Sequence, residues 1–138
     1  MLEVGQKAEI VKTFTENEVL SFSEMSMDDN PIHFDKNYAS KTRFKKRIVQ
    51  GPFVASLIGG LIGTKLPGPG SIYLNQNTNF VNPLFIDEEV RVIIEVISIR
   101  ADKPVIKLST KAIKSDKTVV IEGEATIYFL QNSINPIL

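Results

Sequence analysis

The segment from Gln50 to Leu66 constrains the fold of this chain more than any other stretch. From Phe53 to Ile62 every residue is apolar or small, and no charge occurs before Lys65, so the segment lacks the polar face of a surface helix. It is shorter than the ~20 apolar residues of a membrane span and longer than the about 4 to 8 residues of a buried strand. Because Gly51-Pro52 precedes it and Pro67-Gly68 follows it, we predict a helix that starts at Pro52 and is buried on all sides.

Four glycines mark this predicted helix. Gly59, Gly60 and Gly63 lie in its interior, where each costs up to about 1 kcal/mol relative to alanine. That cost indicates close packing, against a sheet wrapped around the helix or against a second copy of the same helix. Gly51 lies at the N-terminus, where unpaired amides and the helix dipole favour negative charge.

Composition limits the classes of protein and of site. The 138 residues correspond to one domain, residues 1–138, with a core of its own. Sixteen basic residues balance sixteen acidic ones, so we expect no nucleic acid partner. The absence of cysteine excludes disulfides, thiolate zinc sites and a cysteine nucleophile. The first residues carry no signal-peptide pattern, and we expect a cytoplasmic protein without membrane association.

Hydrophobic alternation predicts one strand before the helices and four after them. The first strand, Gln6–Thr13, is expected at a sheet edge, and a capping box over Thr15–Glu18 starts a helix that buries Val19, Phe22 and Met25 and ends near Met25. Asp35 is expected to cap a short helix. The later strands are predicted over residues 71–80, 90–100, 106–112 and 119–129, with a bulge near Val96-Ile97 in the second of them, and the tail from Gln131 is expected to be peripheral.

This order of elements predicts an α+β domain. The four later strands are expected to follow one another in an antiparallel sheet, with the helices on one side. A curved antiparallel sheet wrapped around a central buried helix is the hot dog fold. Because its sheet has open edges that need covering, we expect a homodimer.

The single histidine of the chain, His33, lies five residues after Asp28. Asn30-Pro31 between them indicates a turn, so the carboxylate and the imidazole could hold one water molecule together. The alternative is an Asx-turn in which Asp28 or Asn30 caps its own backbone. Without a second imidazole or a thiolate, we expect no metal site here.

The sequence Asp28-Asp29-Asn30-Pro31-Ile32-His33, followed by Ile48-Val49-Gln50-Gly51 and the apolar helix, resembles the hydratase motif of the MaoC-like (R)-specific enoyl-CoA hydratases. Further similarity over Leu2–Gln6, Pro67–Leu74 and Gly123–Ala125 is to the short single-domain members linked to polyhydroxyalkanoate precursor supply. The resemblance implies reversible hydration of trans-2-enoyl-CoA to (R)-3-hydroxyacyl-CoA. It also implies no cofactor beyond the coenzyme A of the substrate.

The resemblance also implies roles for single residues. Asp28 and His33 would activate water and move the protons, and the Gly51 amide would donate to the thioester oxygen. Asn30, Gln50 and Gly59 are expected to contact the acyl-CoA substrate. Relatives often have histidine at the position of Gln50 and a serine at that of Gly59, so the glycine removes a hydrogen bond but could leave room for the acyl chain.

A basic cluster, Lys41 to Arg47, precedes the central helix. We expect Lys45 and Lys46 to meet the phosphates of coenzyme A, and the alternative is a solvated basic face. Three other functions remain open: a hot dog acyl-CoA thioesterase, a 3-hydroxyacyl-carrier-protein dehydratase, and an acyl-CoA binding module without catalysis.

Overall fold

The computed structural model describes residues 2–130 of the chain. The predicted peripheral tail from Gln131 lies outside these residues. In chain order the elements are β1 (Lys7–Thr13), α1 (Glu16–Ser26), α2 (Lys36–Ser40), α3 (Gly51–Thr64), β2 (Ser71–Phe80), β3 (Glu89–Ile99), β4 (Val105–Lys114) and β5 (Val119–Phe129). Among these described helices, none is long and apolar enough to cross a membrane.

The five strands form one antiparallel sheet in the order β1-β3-β4-β5-β2. The edge position of β1 is confirmed, as is the bulge in β3, where the register with β4 shifts between Val96 and Ser98. The prediction that the four later strands follow one another is wrong for β2, which pairs with β5 at the opposite edge. Alternation specifies which face of a strand is buried but not which strand is its neighbour.

The central helix α3 buries one face against the sheet. Its residues Val54, Ile58, Leu61 and Ile62 are buried and join the core with inward side chains of β3, β4 and β5. The prediction of burial on all sides is wrong for the single chain, because Pro52, Ser56, Gly60 and Gly63 are exposed. The arrangement is nevertheless the predicted hot dog fold, a curved sheet packed around one apolar helix.

The interior glycines of α3 differ in their surroundings. A side-chain carbon added at Gly59 would lie 3.5 Å from the Tyr73 ring, whereas one added at Gly60 or Gly63 would meet nothing within 4 Å. The sheet therefore explains close packing at Gly59 only, and the other two glycines lie on the open face of α3.

Helix α1 begins as predicted. The Thr15 hydroxyl accepts a hydrogen bond from the Glu18 amide, and the Glu18 carboxylate accepts one from the Thr15 amide. Val19 is buried, but Met25 is 75% exposed, so its predicted burial is wrong. Six residues separate the two, which places Met25 about 240° around the helix from Val19 at 3.6 residues per turn.

Candidate active site

The loop after α1 is held by its own side chains. Met27 takes the left-handed conformation, with φ of 63°, and ends α1. The Asp28 carboxylate accepts a hydrogen bond from the Asn30 amide at 3.1 Å, and the Asn30 side chain accepts one from the Ile32 amide at 3.3 Å. The Asx-turn alternative is thus correct for this loop, and it leaves the second carboxylate oxygen of Asp28 free to face His33.

Asp28 and His33 lie side by side. The Oδ2 atom of Asp28 is 3.4 Å from Nε2 of His33, with the His33 side chain 8% exposed and the Asp28 side chain 39% exposed. On the far side of the ring, Nδ1 lies 2.8 Å from the Ile48 carbonyl oxygen. A carbonyl can only accept, so Nδ1 carries a proton and donates it.

This tautomer determines what the pair can bind. In the neutral ring, Nε2 presents a lone pair towards the Asp28 carboxylate, so two acceptors face each other. A water molecule has two protons and can donate one to each acceptor. At 3.4 Å the two atoms leave no room for a water on the line between them, so the geometry suits a water that bridges the carboxylate and the imidazole from one side, with access from solvent next to Asp28.

The segment from Ile48 to Gln50 connects this pair to the start of α3. The Ile48 amide donates to the Ile32 carbonyl at 3.3 Å, and the Val49 amide donates to the Leu84 carbonyl at 2.7 Å. The Gln50 carbonyl accepts from the amides of Phe53 and Val54, the first bonds of the helix. The carbonyl that anchors His33 lies three residues before Gly51, so a short backbone segment connects the loop to the helix start.

The helix begins one residue earlier than predicted, at Gly51. Within residues 2–130, the Gly51 amide has no acceptor, as expected for the first residue of a helix. A side-chain carbon at this position would lie 2.7 Å from the Phe80 ring. Glycine therefore lets the ring rest against the beginning of α3.

Two cavities flank the start of α3, and Phe80 and Pro52 line both of them. One, of about 350 Å³, includes Gly51 and is mostly apolar, with Ile48, Val54 and Leu84 in its wall. The other, of about 440 Å³, includes Gly59 and Tyr73. Asp28 and His33 line neither, so the structure connects them to Gly51 through the backbone of residues 48–50 and not through one of these two cavities.

The three residues expected to contact the substrate, Asn30, Gln50 and Gly59, lie in different environments. Gly59 opens onto a cavity, as expected for a position that leaves room. The Asn30 side-chain oxygen is used within the loop. Gln50 is fully buried, and its amide nitrogen donates to α1, so its side chain does not face a substrate in this chain.

Lys45 and Lys46 line a third cavity of about 320 Å³, together with Lys36, Arg47 and Phe85. The Lys46 ammonium lies 5.2 Å from the centre of the Phe85 ring, and neither Lys45 nor Lys46 forms an ion pair with another described residue. Arg47, in contrast, binds Glu16 at 2.7 Å, and that hydrogen bond lowers the pKa of the Glu16 carboxyl. Lys45 and Lys46 therefore line this cavity without a carboxylate partner among the described residues.

Two features of the site were not found from the sequence. Partial burial raises the pKa of the Tyr73 hydroxyl, and the Tyr73 ring and hydroxyl lie beside Gly59. The alternation of Ile72, Tyr73 and Leu74 was a signal that Tyr73 faces α3. The Ile48 carbonyl that orients His33 is a backbone atom, which no side-chain pattern identifies.

Over residues 2–130, no group of three His, Cys, Asp or Glu side chains is placed to hold a metal ion.

Comparison with known proteins gives a consistent result. The profile of the MaoC like domain matches residues 2–118. An (R)-specific enoyl-CoA hydratase from Aeromonas caviae is 44% identical over 126 residues, which cover 91% of this chain and 94% of that protein. A mitochondrial 3-hydroxyacyl-[acyl-carrier-protein] dehydratase, FERN, from Solanum lycopersicum is 38% identical over 128 residues, or 91% and 76% of the two chains.

The fold comparison agrees. The solved structure of the (R)-hydratase from A. caviae involved in PHA biosynthesis superposes with a TM-score of 0.91 at 43% identity, covering 93% of this chain and 97% of that one. On the family profile, the relatives and the shared fold, this chain belongs to the MaoC-like domain family.

Proposed function

We propose that this protein is a hydro-lyase that adds water reversibly to trans-2-enoyl-CoA and forms (R)-3-hydroxyacyl-CoA. The observation that carries the proposal is the pair of Asp28 and His33, 3.4 Å apart, with the ring anchored through Nδ1. The (R) configuration of the product is taken from the named activity of the A. caviae relative.

The chemistry requires a base for water and a proton for the α-carbon. Water donates to the Asp28 carboxylate and to Nε2 of His33, and its oxygen attacks the β-carbon as one of its protons passes to the pair. The π electrons move towards the thioester oxygen, and the pair then returns a proton to the α-carbon on the same face. The pair gains one proton and loses one, so the net change is addition of water. Positioned proton transfer of this kind contributes about 10²- to 10⁴-fold.

The enolate-like charge on the thioester oxygen needs a donor. The Gly51 amide is unpaired within the described chain and lies at the positive end of the α3 dipole. Loss of one preorganised donor typically costs about 2.7–4 kcal/mol of transition-state stabilisation. A backbone amide remains under side-chain substitution, so the position of the helix start is what the sequence must maintain.

The remaining roles belong to substrate binding. We assign Lys45 and Lys46 to the coenzyme A phosphates, because both line a cavity and neither is neutralised by a described carboxylate. We assign the cavity beside Gly59 to the acyl chain, since a side chain at this position would point towards Tyr73 within it. The reaction as written needs no cofactor other than the coenzyme A of the substrate.

A homodimer in the cytoplasm is part of the proposal. The edge strand β2 exposes Ile72, Leu74 and Phe80, and the exposed small residues of α3 lie on the side that the sheet leaves open. An unpaired strand edge with apolar side chains is a surface that folded proteins cover. A second copy of the chain is the occupant that we propose.

The experiment is to mix the purified protein with crotonyl-CoA. Loss of the enoyl absorbance without release of free thiol, and chiral analysis that finds (R)-3-hydroxybutyryl-CoA, is the expected result. Release of free thiol would identify a thioesterase, and binding without turnover would identify a non-catalytic module. A strong preference for the carrier-protein thioester would favour the dehydratase activity named for the tomato relative.

A further inference from the structure

We propose that Gln50 is a positioning residue that holds the Gly51 amide and the Asp28–His33 pair in register. The inference rests on the proposed hydration reaction. It assigns Gln50 an indirect role, in which the side chain sets the distance between the two halves of the site without touching substrate.

The contacts of Gln50 join two helices. Its side-chain nitrogen donates to the Val19 carbonyl at 3.0 Å and to the Ser23 hydroxyl at 2.8 Å, both in α1. Its backbone carbonyl accepts from Phe53 and Val54 and starts α3. The side chain of Gln50 therefore hydrogen-bonds to α1, while its backbone carbonyl accepts the first hydrogen bonds of α3.

Each of these helices carries one half of the site. Helix α1 ends at Ser26, two residues before Asp28, and α3 begins at Gly51, immediately after Gln50. The Phe22 and Phe53 rings stack at the same junction, with centres 4.5 Å apart. Stacked rings can slide over one another, whereas two hydrogen bonds from one amide specify both distance and direction. Gln50 thus fixes the register that the ring contact leaves open.

An unpaired atom distinguishes this role from simple stabilisation. Gln50 is fully buried, and its side-chain oxygen has no hydrogen-bond partner among the described residues. Turning the amide over would point that oxygen at the Val19 carbonyl, so the orientation is determined by its neighbours. A buried unpaired acceptor lowers stability, and an apolar side chain of similar length would fill the site without it. What the amide provides is a fixed orientation of α1 relative to the start of α3.

The test compares Gln50→Met with Gln6→Met, a matched change at an exposed glutamine near the start of β1. We expect Gln50→Met to lower kcat for crotonyl-CoA about 100-fold, the loss that a misplacement of about 1 Å can cause, with KM and the melting temperature close to wild type. Gln6→Met should change neither constant. An unchanged kcat in folded Gln50→Met would overturn the proposal.

A second readout requires binding only. The infrared carbonyl band of bound butyryl-CoA, which cannot be hydrated, reports the hydrogen bond from the Gly51 amide. We expect the band to lie at lower frequency in wild type than in Gln50→Met, and an equal shift in both proteins would overturn the proposal. If Gln50→Met does not fold, kcat and the carbonyl band are measured in Ser23→Ala instead. This variant keeps the bond from Gln50 to Val19, so we expect a smaller loss of kcat and a smaller change in the band. Failure of wild type to hydrate crotonyl-CoA would refute the function, while the carbonyl band still tests Gln50.

Discussion

Replacing Asp28 with asparagine separates the charge of this residue from its structural role. The Asp28 oxygen Oδ1 that accepts from the Asn30 amide is retained in asparagine, so the loop should keep its turn. The second oxygen, which faces Nε2 of His33 at 3.4 Å, becomes an NH₂ group. That group can donate directly to the imidazole lone pair, so the variant gains a contact where the wild type would hold water.

The expected magnitude follows from this exchange. Folding should be unaffected or slightly favoured, because one unpaired acceptor is replaced by a donor that fits its neighbour. The hydration rate should fall by about 10²- to 10⁴-fold, the contribution of a positioned acid or base, which corresponds to about 2.7–5.4 kcal/mol of activation free energy. KM should change little, since the carboxylate binds water and not coenzyme A.

The assay measures kcat for crotonyl-CoA alongside the thermal unfolding midpoint. Asp29→Asn is the matched control, because Asp29 is an exposed neighbouring carboxylate to which no role is assigned. It should retain the wild-type kcat. If Asp28→Asn turns over as fast as Asp29→Asn, the assignment of Asp28 as the water-activating group is refuted.

Three further predictions concern binding and assembly. Lys45→Glu/Lys46→Glu should raise KM about 2- to 30-fold and leave kcat unchanged, because each exposed ion pair contributes about 0.2–1 kcal/mol. Lys107→Glu/Lys111→Glu, an equal change of charge elsewhere on the surface, should leave KM unchanged. Leu74→Lys on the free edge of β2 should yield monomers by light scattering, whereas Val11→Lys on β1 should leave dimers; a monomeric wild type would contradict this. Gly59→Leu should lower kcat/KM for eight-carbon enoyl-CoA more than for crotonyl-CoA, and equal losses would remove the acyl chain from this cavity.

Local chemistry made parts of the structure predictable from sequence. Three local predictions are confirmed: the Thr15–Glu18 capping box, the Asp35 cap and the bulge in β3. The Asp35 carboxylate accepts from the Tyr38 amide. Each depends on a side chain acting within a few residues of itself, or on a change in the phase of alternation. The Asp28–Asn30 turn belongs to the same class, which is why the proximity of Asp28 and His33 could be anticipated.

Contacts between residues far apart in the sequence could not be predicted from such local patterns. The alternation of β2 is equally compatible with pairing to β3 or to β5, and the structure pairs it with β5. The role of Gln50 depends on Ser23, which is far from it in sequence and not marked by any pattern. The burial of α3 was overestimated because an apolar composition does not distinguish a face covered by the sheet from a face that the single chain leaves exposed.

The anchoring of His33 to the Ile48 carbonyl limits how this sequence can change. A main-chain oxygen is present whatever residue occupies position 48, so substitution there leaves the tautomer of the ring unchanged. Insertion or deletion of a single residue between Ile48 and Gly51 would turn that oxygen away from the ring or shift the helix start. At position 48, selection should tolerate drift in residue identity, whereas between Ile48 and Gly51 it should remove changes in length.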